Sequence, residues 1–148
     1  MIVRATLHDL DKLMRWRKAV LSEVFAGDEI SEFLLAANRK YYELSLNESA
    51  HIACFALEGE LTVGCGGMCL QLEMPSPDNP SGITGYLMNI YVSPGFRGRG
   101  HAHEIVKWLI SRAKELGAGK IMLESTAIAR KLYQSFGFKD AEGYMVLS

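Results

Sequence analysis

Between Tyr86 and Ala102 the chain reads YLMNIYVSPGFRGRGHA, an apolar run followed by a turn rich in glycine and arginine. The run 86–92 is nearly continuous in apolar residues, which is typical of a central strand buried on both faces. Ser93-Pro94-Gly95 ends this strand, and the turn that follows leads into a segment with helical periodicity. The sequence therefore predicts a strand, a glycine-rich turn and a helix in immediate succession.

A second strand follows this helix. Apolar residues recur at helical spacing from Ala102 to Ala113, Gly117 is a natural C-cap, and Lys120 to Glu124 has the composition of a strand. A strand, a helix and a strand at this spacing form a βαβ unit with a right-handed crossover. We therefore expect the two strands to be parallel.

The turn has the properties of an anion-binding site. Backbone N–H groups at the start of a helix are unpaired, and the helix macrodipole is positive there. Gly98 and Gly100 allow a ligand close to the backbone, and Arg97 and Arg99 add positive charge, so a pyrophosphate suits the turn. A tight connection with solvated arginines is an equally good reading of the turn alone. An Arg-Gly RNA-binding box is a third, which the flanking core strand and helix disfavour.

The other predicted elements complete an α+β fold with a mixed sheet. Strands are predicted at 2–5, 51–57, 61–70 and 144–147, helices after Thr6, after Ser31 and over 127–136, and a proline-rich loop over 73–82. The length and the apolar content of 49% suit one domain spanning residues 1–148.

Composition excludes several classes of protein. Sixteen Lys and Arg against 17 Asp and Glu give a formal net charge of −1, which favours neither nucleic acid nor a membrane surface as a partner. Cys54, Cys65 and Cys69 are odd in number and lie in strand-like runs, so we expect buried reduced thiols and no metal site. Without a signal peptide or a membrane span in the pattern, we expect a cytoplasmic protein, with a homodimer as the default assembly.

Two motifs carry a resemblance to a known family. Residues 92–102 resemble the acetyl-CoA signature of the GNAT superfamily of N-acetyltransferases, with Arg97, Gly100 and Ala102 at its three defining positions. Residues 129–138, ARKLYQSFGF, resemble that family's second motif, and residues 77–92 resemble an uncharacterised bacterial branch of it. The resemblance implies an αβα layered fold with a six- to seven-stranded, mostly antiparallel sheet whose central parallel pair splays apart.

The same resemblance implies that acetyl-CoA, with no metal, lies in the splayed gap. Thr126 stands where the family often has Asn. The implied cofactor-binding residues are Ile90, Tyr91 and Val92 on the strand, Arg97, Gly98, Arg99, Gly100, His101 and Ala102 in the turn, and Thr126 and Arg130 beyond it.

The resemblance also assigns catalytic roles. Tyr133 would protonate the departing thiolate, since a phenol with a reference pKa of about 10 can serve a thiol of about 8.5 when the site assists. The strand 86–92 carries no carboxylate, so Asn89 is expected to order a water or orient the acetyl carbonyl. Glu23, Glu73 and His51 are the other candidate bases, and the sequence favours a solvated surface role for each.

The predicted function is direct transfer of acetyl from acetyl-CoA to a primary amine of a small molecule or peptide in a ternary complex. Two alternatives remain. One is a covalent acyl-Cys route through Cys54, Cys65 or Cys69. The other is a non-catalytic acyl-CoA-binding sensor or interaction domain, which the missing strand carboxylate keeps open.

Overall fold

A computed structural model describes all 148 residues and shows five strands and four α-helices. The strands are β1 (Ile2–Arg4), β2 (His51–Glu58), β3 (Leu61–Leu72), β4 (Ile83–Val92) and β5 (Lys120–Leu123). The helices are α1 (Leu10–Val24), α2 (Glu32–Asn47), α3 (His101–Glu115) and α4 (Arg130–Ser135), with short 3-10 turns at Leu7–Asp9 and Pro94–Phe96.

The strands form one mixed sheet in the order β1-β2-β3-β4-β5. Neighbouring strands are antiparallel except for β4 and β5, which are parallel. Because α3 joins these two parallel strands, the predicted βαβ unit is confirmed. The connection between β1 and β2 contains α1 and α2, whereas β2 and β3 are joined by a tight turn between Glu58 and Leu61.

Helices cover both faces of the sheet, which confirms the predicted layering. On β2, Ile52, Cys54 and Ala56 belong to a core cluster that includes the buried side of α3. The intervening residues Ala53 and Phe55 belong to a second cluster with residues of α1 and α2. This alternation follows from the two-residue period of a strand, which sends successive side chains to opposite faces.

The packing of α3 against β3 is unusually close. A Cβ atom added to Gly66 would lie 2.3 Å from Cγ2 of Ile105 and 3.2 Å from Cδ1 of Leu109. Only a residue without a side chain therefore permits the helix to approach β3 at this distance. The result is a fixed position for α3, and hence for the turn at its N-terminus.

The predicted strand count was wrong. The sheet has five strands, and residues Tyr144–Leu147, predicted as a closing strand, are not paired with any strand. Val146 and Leu147 are at least 90% exposed. The available edge, on β5, is only four residues long, so few ladder bonds would offset the entropy of ordering the segment. Only the side chain of Tyr144 reaches this edge, where its hydroxyl accepts a hydrogen bond from Lys120.

Two boundaries also differ from the prediction. β4 begins at Ile83, and α4 is confined to Arg130–Ser135 because Thr126 to Ala129 form a turn ahead of it. None of the helices combines the length and the apolarity required to cross a bilayer.

Candidate active site

The parallel pair β4 and β5 separates halfway along β4. Their ladder runs from Thr84 opposite Lys120 to Leu87 opposite Leu123 and stops there. Beyond Leu87, the edge of β4 that faces β5 has no strand neighbour, so backbone groups on this edge have no ladder partner and can bind a ligand. Ile90, Tyr91 and Val92, the strand residues that the family resemblance implies as cofactor contacts, all lie on this open part of β4.

A β-bulge at Asn89 accompanies this separation. Cys65 pairs with Tyr91 and Gly67 with Met88, so two steps along β3 span three along β4. Asn89 has a φ of 57°, in the left-handed region that asparagine tolerates better than most residues. A bulge bends its strand and redirects the extra side chain. Here the side chain of Asn89 points towards α1 and α2, where Arg17 Nη1 donates to its Oδ1 at 3.0 Å.

The turn before α3 presents a row of free amides. The backbone N–H groups of residues 98–103 donate to no backbone or side-chain acceptor, and the first helical bond comes from Glu104 to Gly100. Gly98 and Gly100 have φ values of +79° and +88°, which residues other than glycine rarely adopt. Free amides at the N-terminus of a fifteen-residue helix form an anion-binding site.

The charged side chains of the turn have partners within the protein. Nη2 of Arg97 donates to both carboxylate oxygens of Glu23 on α1, at 2.9 and 2.8 Å, and Nε donates to the carbonyl of Val92. Arg99 pairs with Glu58 at 3.0 Å. Their side chains therefore anchor the turn to α1 and to the hairpin between β2 and β3.

His101 is the only buried member of the turn, and its Nε2 lies 2.6 Å from Oε1 of Glu58. Hydrogen bonds from His101 and then from Arg99 hold the pKa of Glu58 below its usual range. The side chain of His101 thus faces the hairpin, while its backbone amide and that of Ala102 remain free at the turn.

Tyr133 lies on the α3 face of the sheet, near β5. It belongs to the core cluster with Leu87 and Val92, and burial raises the pKa of its hydroxyl. The hydroxyl makes no hydrogen bond within the protein. Beside it is a cavity of about 180 Å³, here called the Tyr133 cavity, lined by residues of β5, α4 and the segment after α4.

Two further predicted cofactor residues are near this cavity. Arg130 lines it and forms an ion pair with Asp140. Thr126 lies outside the lining and accepts a hydrogen bond from the amide of Ala129 through Oγ1. Thr126 therefore supports the start of α4.

The family model for the acetyltransferase (GNAT) family matches residues 11–138. The chain belongs to this family. It is similar to a predicted acetyltransferase from Clostridium acetobutylicum that was crystallised with acetyl-CoA, with 25% identity, a TM-score of 0.90, and coverage of 100% of this chain and 95% of that one. A search among curated proteins found no match.

Two other GNAT structures are more distant in sequence. A GCN5-related N-acetyltransferase from Ralstonia eutropha has 23% identity and a TM-score of 0.83 over 100% of this chain and 97% of that one. An aminoglycoside N-acetyltransferase in complex with CoA has 17% identity and a TM-score of 0.78, over 100% and 93% of the two chains. At these identities the likeness concerns the fold.

A second cavity, of about 300 Å³, opens on the α1–α2 face of this GNAT chain and shares Asn89 with the site. It is called the Arg17 cavity, and its lining consists of Arg17, Asn38, Tyr41, Tyr42, His51, Cys69, Met88 and Asn89. Of these residues, the sequence indicated Asn89 as a site residue, His51 as a candidate base and Cys69 as a candidate nucleophile, but Arg17 was not considered. The signal for Arg17 was present: it lies four residues from both Leu13 and Leu21, within the apolar stripe of α1.

His51 is buried, so the predicted surface role was wrong. Burial, with a smaller contribution from Arg17, lowers its pKa to about 4, and its ring is neutral at pH 7. Nδ1 lies 2.8 Å from the hydroxyl of Tyr41, whereas Nε2 has no partner and is covered by Gly67. A covered nitrogen cannot take a proton directly from a ligand.

The two candidate carboxylates are engaged elsewhere. Glu23 pairs with Arg97, and Glu73 lies 3.6 Å from Lys120 and accepts a hydrogen bond from Asn79. Neither lines the Arg17 cavity. The lining of the Arg17 cavity therefore includes no carboxylate.

The cysteines are free thiols. Burial raises the pKa of Cys65, and raises that of Cys54 to about 12, so neither is a thiolate near neutral pH. Cys69 is half-buried in the wall of the Arg17 cavity, and burial raises its pKa as well. The structure contains no group of three or more His, Cys, Asp or Glu side chains that could hold a metal ion.

Proposed function

We propose that this GNAT chain transfers the acetyl group of acetyl-CoA to a primary amine of a small molecule or peptide, by direct attack in a ternary complex. The observation that carries the proposal is the presence of two neighbouring backbone sites in one stretch of chain. They are the free amides of residues 98–103 and the part of β4 beyond Leu87, which has no strand neighbour on its β5 side and reaches Asn89, where the Arg17 cavity begins.

The backbone supplies most of the donor site. The diphosphate of CoA would accept hydrogen bonds from the amides of Gly98, Arg99, Gly100, His101 and Ala102. The pantetheine amides would bond to Ile90, Tyr91 and Val92 on the open edge of β4. Arg97 and Arg99 would act mainly by holding the turn in place, with Arg130 and Thr126 on the α4 side of the cofactor. The relative solved with acetyl-CoA supports acetyl-CoA as the ligand of this fold.

The acetyl group would then lie between Asn89 and Tyr133. The amine nitrogen attacks the thioester carbonyl carbon, a C–N bond forms, and the C–S bond breaks. Tyr133 gives its proton to the leaving thiolate and recovers one from solvent, a role that its unpaired hydroxyl and position beside the gap permit. Asn89, which the bulge places at this point of β4, would order a water or orient the acetyl carbonyl.

The amine proton leaves to water. An ammonium group with a pKa near 10 must lose this proton before attack, and no carboxylate or accessible imidazole lines the Arg17 cavity. We therefore expect kcat/KM for the amine to rise with pH up to the pKa of the amine, without a plateau near pH 7.

Thiol release from acetyl-CoA, measured with a panel of polyamines, amino acids, aminoglycosides and peptides, tests this proposal, and mass spectrometry identifies the acetylated amine. Turnover in a Cys69→Ala variant would exclude the covalent route through that thiol. Thermal stabilisation by CoA without release of thiol for any acceptor would instead favour the sensor domain, the alternative that the missing carboxylate on β4 keeps open.

We also propose a cytoplasmic location and a single acetyltransferase domain for this chain. The free thiols suit a reducing cytoplasm, and residues 1–148 together form both sides of the site. A homodimer is proposed only as the common default for small enzymes.

A further inference from the structure

The Arg17 cavity carries information about the acceptor. Its volume of about 300 Å³ is at the lower end of the range of about 300–1,000 Å³ that small-molecule sites have. It admits a small amine and leaves little room for an oligosaccharide or a long chain. Since the cavity reaches Asn89 at the bulge, a bound amine would lie next to the open part of β4.

Arg17 is the only charged residue in this lining at neutral pH. The lining holds no Asp or Glu, and its one histidine, His51, is neutral. The charge of Arg17 reaches across the cavity, since it acts to lower the pKa values of Tyr41, Tyr42 and His51. The field in the cavity is therefore positive.

No carboxylate neutralises Arg17. It is half-buried and makes no ion pair with any Asp or Glu. Among the carboxylates of the two helices that line the cavity, Asp11 and Glu43 pair with Arg39, and Glu23 pairs with Arg97. The remaining one, Glu32, has no ion pair and is exposed. A half-buried cation without an anionic partner is an unusual arrangement, because partial desolvation of a charge is normally compensated.

Two amide side chains fix the orientation of the guanidinium. Nε donates to Oδ1 of Asn38 at 2.8 Å, and Nη1 donates to Oδ1 of Asn89 at 3.0 Å. Asn38 is itself oriented, because its Nδ2 donates to the carbonyl of Leu34 at 2.9 Å. Two of the five N–H groups of Arg17 are thus used, and three remain for a ligand. A planar fork held in place with free donors suits a carboxylate or a phosphate oxyanion.

From this arrangement we infer that the acceptor is a small amine that also carries an acidic group, a carboxylate or a phosphate, which binds Arg17. The inference rests on the proposed function. Because Nη1 of Arg17 lies 3.0 Å from the side chain of Asn89 at the reaction point, the acid and the amine are separated by only a few bonds, as in an amino acid. The acid takes no part in the bond changes. Polyamines and aminoglycosides, which bring several positive charges to Arg17, are disfavoured acceptors.

Matched acceptors test the charge requirement directly. L-amino acids are compared with their amides and with the corresponding decarboxylated amines, and O-phosphoethanolamine is compared with ethanolamine, by thiol release from acetyl-CoA. We expect kcat/KM to fall about 10- to 100-fold when the acid is removed, which is the range for a charge-assisted hydrogen bond. The amino-acid comparison tests a carboxylate as the acidic group of the acceptor, and the phosphoethanolamine comparison tests a phosphate. Equal or better turnover of the uncharged or polycationic amines would overturn the inference.

Variants of the fork assign the effect to Arg17. Arg17→Gln should abolish the difference between acid and amide, while Arg15→Gln, an exposed residue on the same helix, should leave it unchanged. Asn38→Asp keeps the shape of the site and gives Arg17 an internal carboxylate partner, so it should weaken acidic acceptors and spare their amides. If Arg17→Gln and Asn38→Asp both retain the preference for acids, Arg17 is not the anion site.

A binding measurement separates this inference from the proposed function. In the presence of CoA, N-acetyl amino acids should bind about 10-fold more tightly than their amides by calorimetry, and the difference should vanish in Arg17→Gln. If CoA does not bind, or if none of the amines is acetylated, the result counts against the proposed function alone. Acids and amides that bind equally, or do not bind at all, count against the acidic acceptor even if some amine is acetylated.

Discussion

Gly100 offers the sharpest test of the anion-binding turn, because strain and ligand blockage can be separated at this residue. Its φ of +88° lies in the left-handed region, and a Cβ added there meets no protein atom within 4 Å. The methyl group of Gly100→Ala would therefore be strained but not crowded, and it would occupy space beside the free amides. We expect it to hinder an approaching phosphate.

The magnitudes follow from the geometry. A left-handed alanine costs about 1–2 kcal/mol, which corresponds to a fall in Tm of about 2–8 °C at this chain length. Loss of one amide–phosphate hydrogen bond costs a further ~1.5–3 kcal/mol of binding free energy, or about 10- to 150-fold in the Kd for CoA. Calorimetric titration with CoA at one fixed salt concentration measures the second quantity, and differential scanning fluorimetry without ligand measures the first.

Gly117 provides the matched control at the opposite end of α3. Its φ is +83°, and an added Cβ would make only an ordinary contact, 3.8 Å from Ile83. It lies about 25 Å from Gly100 along the helix axis. Gly117→Ala should lower Tm by a similar amount and leave the Kd for CoA within about twofold. Equal CoA affinities in the two variants would refute the assignment of the diphosphate to this turn.

Three further changes test other parts of the account. Tyr133→Phe should lower kcat about 100-fold or more while leaving the affinity for acetyl-CoA nearly unchanged, and a collapse of affinity in calorimetry would show that Tyr133 is a packing residue. His51 has a pKa of about 4 when folded against about 6.5 when unfolded, so the unfolded chain binds more protons between these values. The free energy of unfolding should then fall by about 3 kcal/mol as pH drops from 6.5 to 4, and urea titrations that show the same slope in His51→Gln would contradict this. Gly66→Ala should destabilise the fold by about 1–3 kcal/mol, because its methyl would overlap Ile105, and an unchanged urea midpoint would mean that α3 can move away at little cost.

Much of the fold could be predicted from the sequence because local signals agree with the tertiary structure. The apolar run in β4, the glycine turn and the periodicity of α3 each indicate the same βαβ unit. The closing strand was mispredicted for a physical reason: the segment 144–147 is apolar enough for a strand, but strand formation also requires an edge with enough pairing length. Composition does not report the length of the partner strand.

The candidate site was predicted unevenly. The backbone of the turn could be found because glycines and a helix start are visible in the sequence. The partners of Arg97 and Arg99 could not, since Glu23 and Glu58 are 74 and 41 residues away along the chain. His51 was assigned to the surface because the sequence shows neither burial nor a partner for it, whereas in the structure Tyr41 and Tyr42 of α2 lie against its ring. Arg17 was overlooked although it interrupts an apolar stripe, a pattern that marks a charge facing inward.

Amide-resolved NMR during a titration tests the central claim most directly, with pantetheine, which lacks the diphosphate, as the comparison ligand. The account predicts that CoA shifts the amide resonances of residues 98–103 strongly, as new hydrogen bonds to phosphate oxygens form. Pantetheine should shift the amide resonances on the open edge of β4 and leave the resonances of the six amides of residues 98–103 unshifted. Resonances of residues 98–103 that do not move while CoA binds, or the absence of CoA binding, would contradict the account.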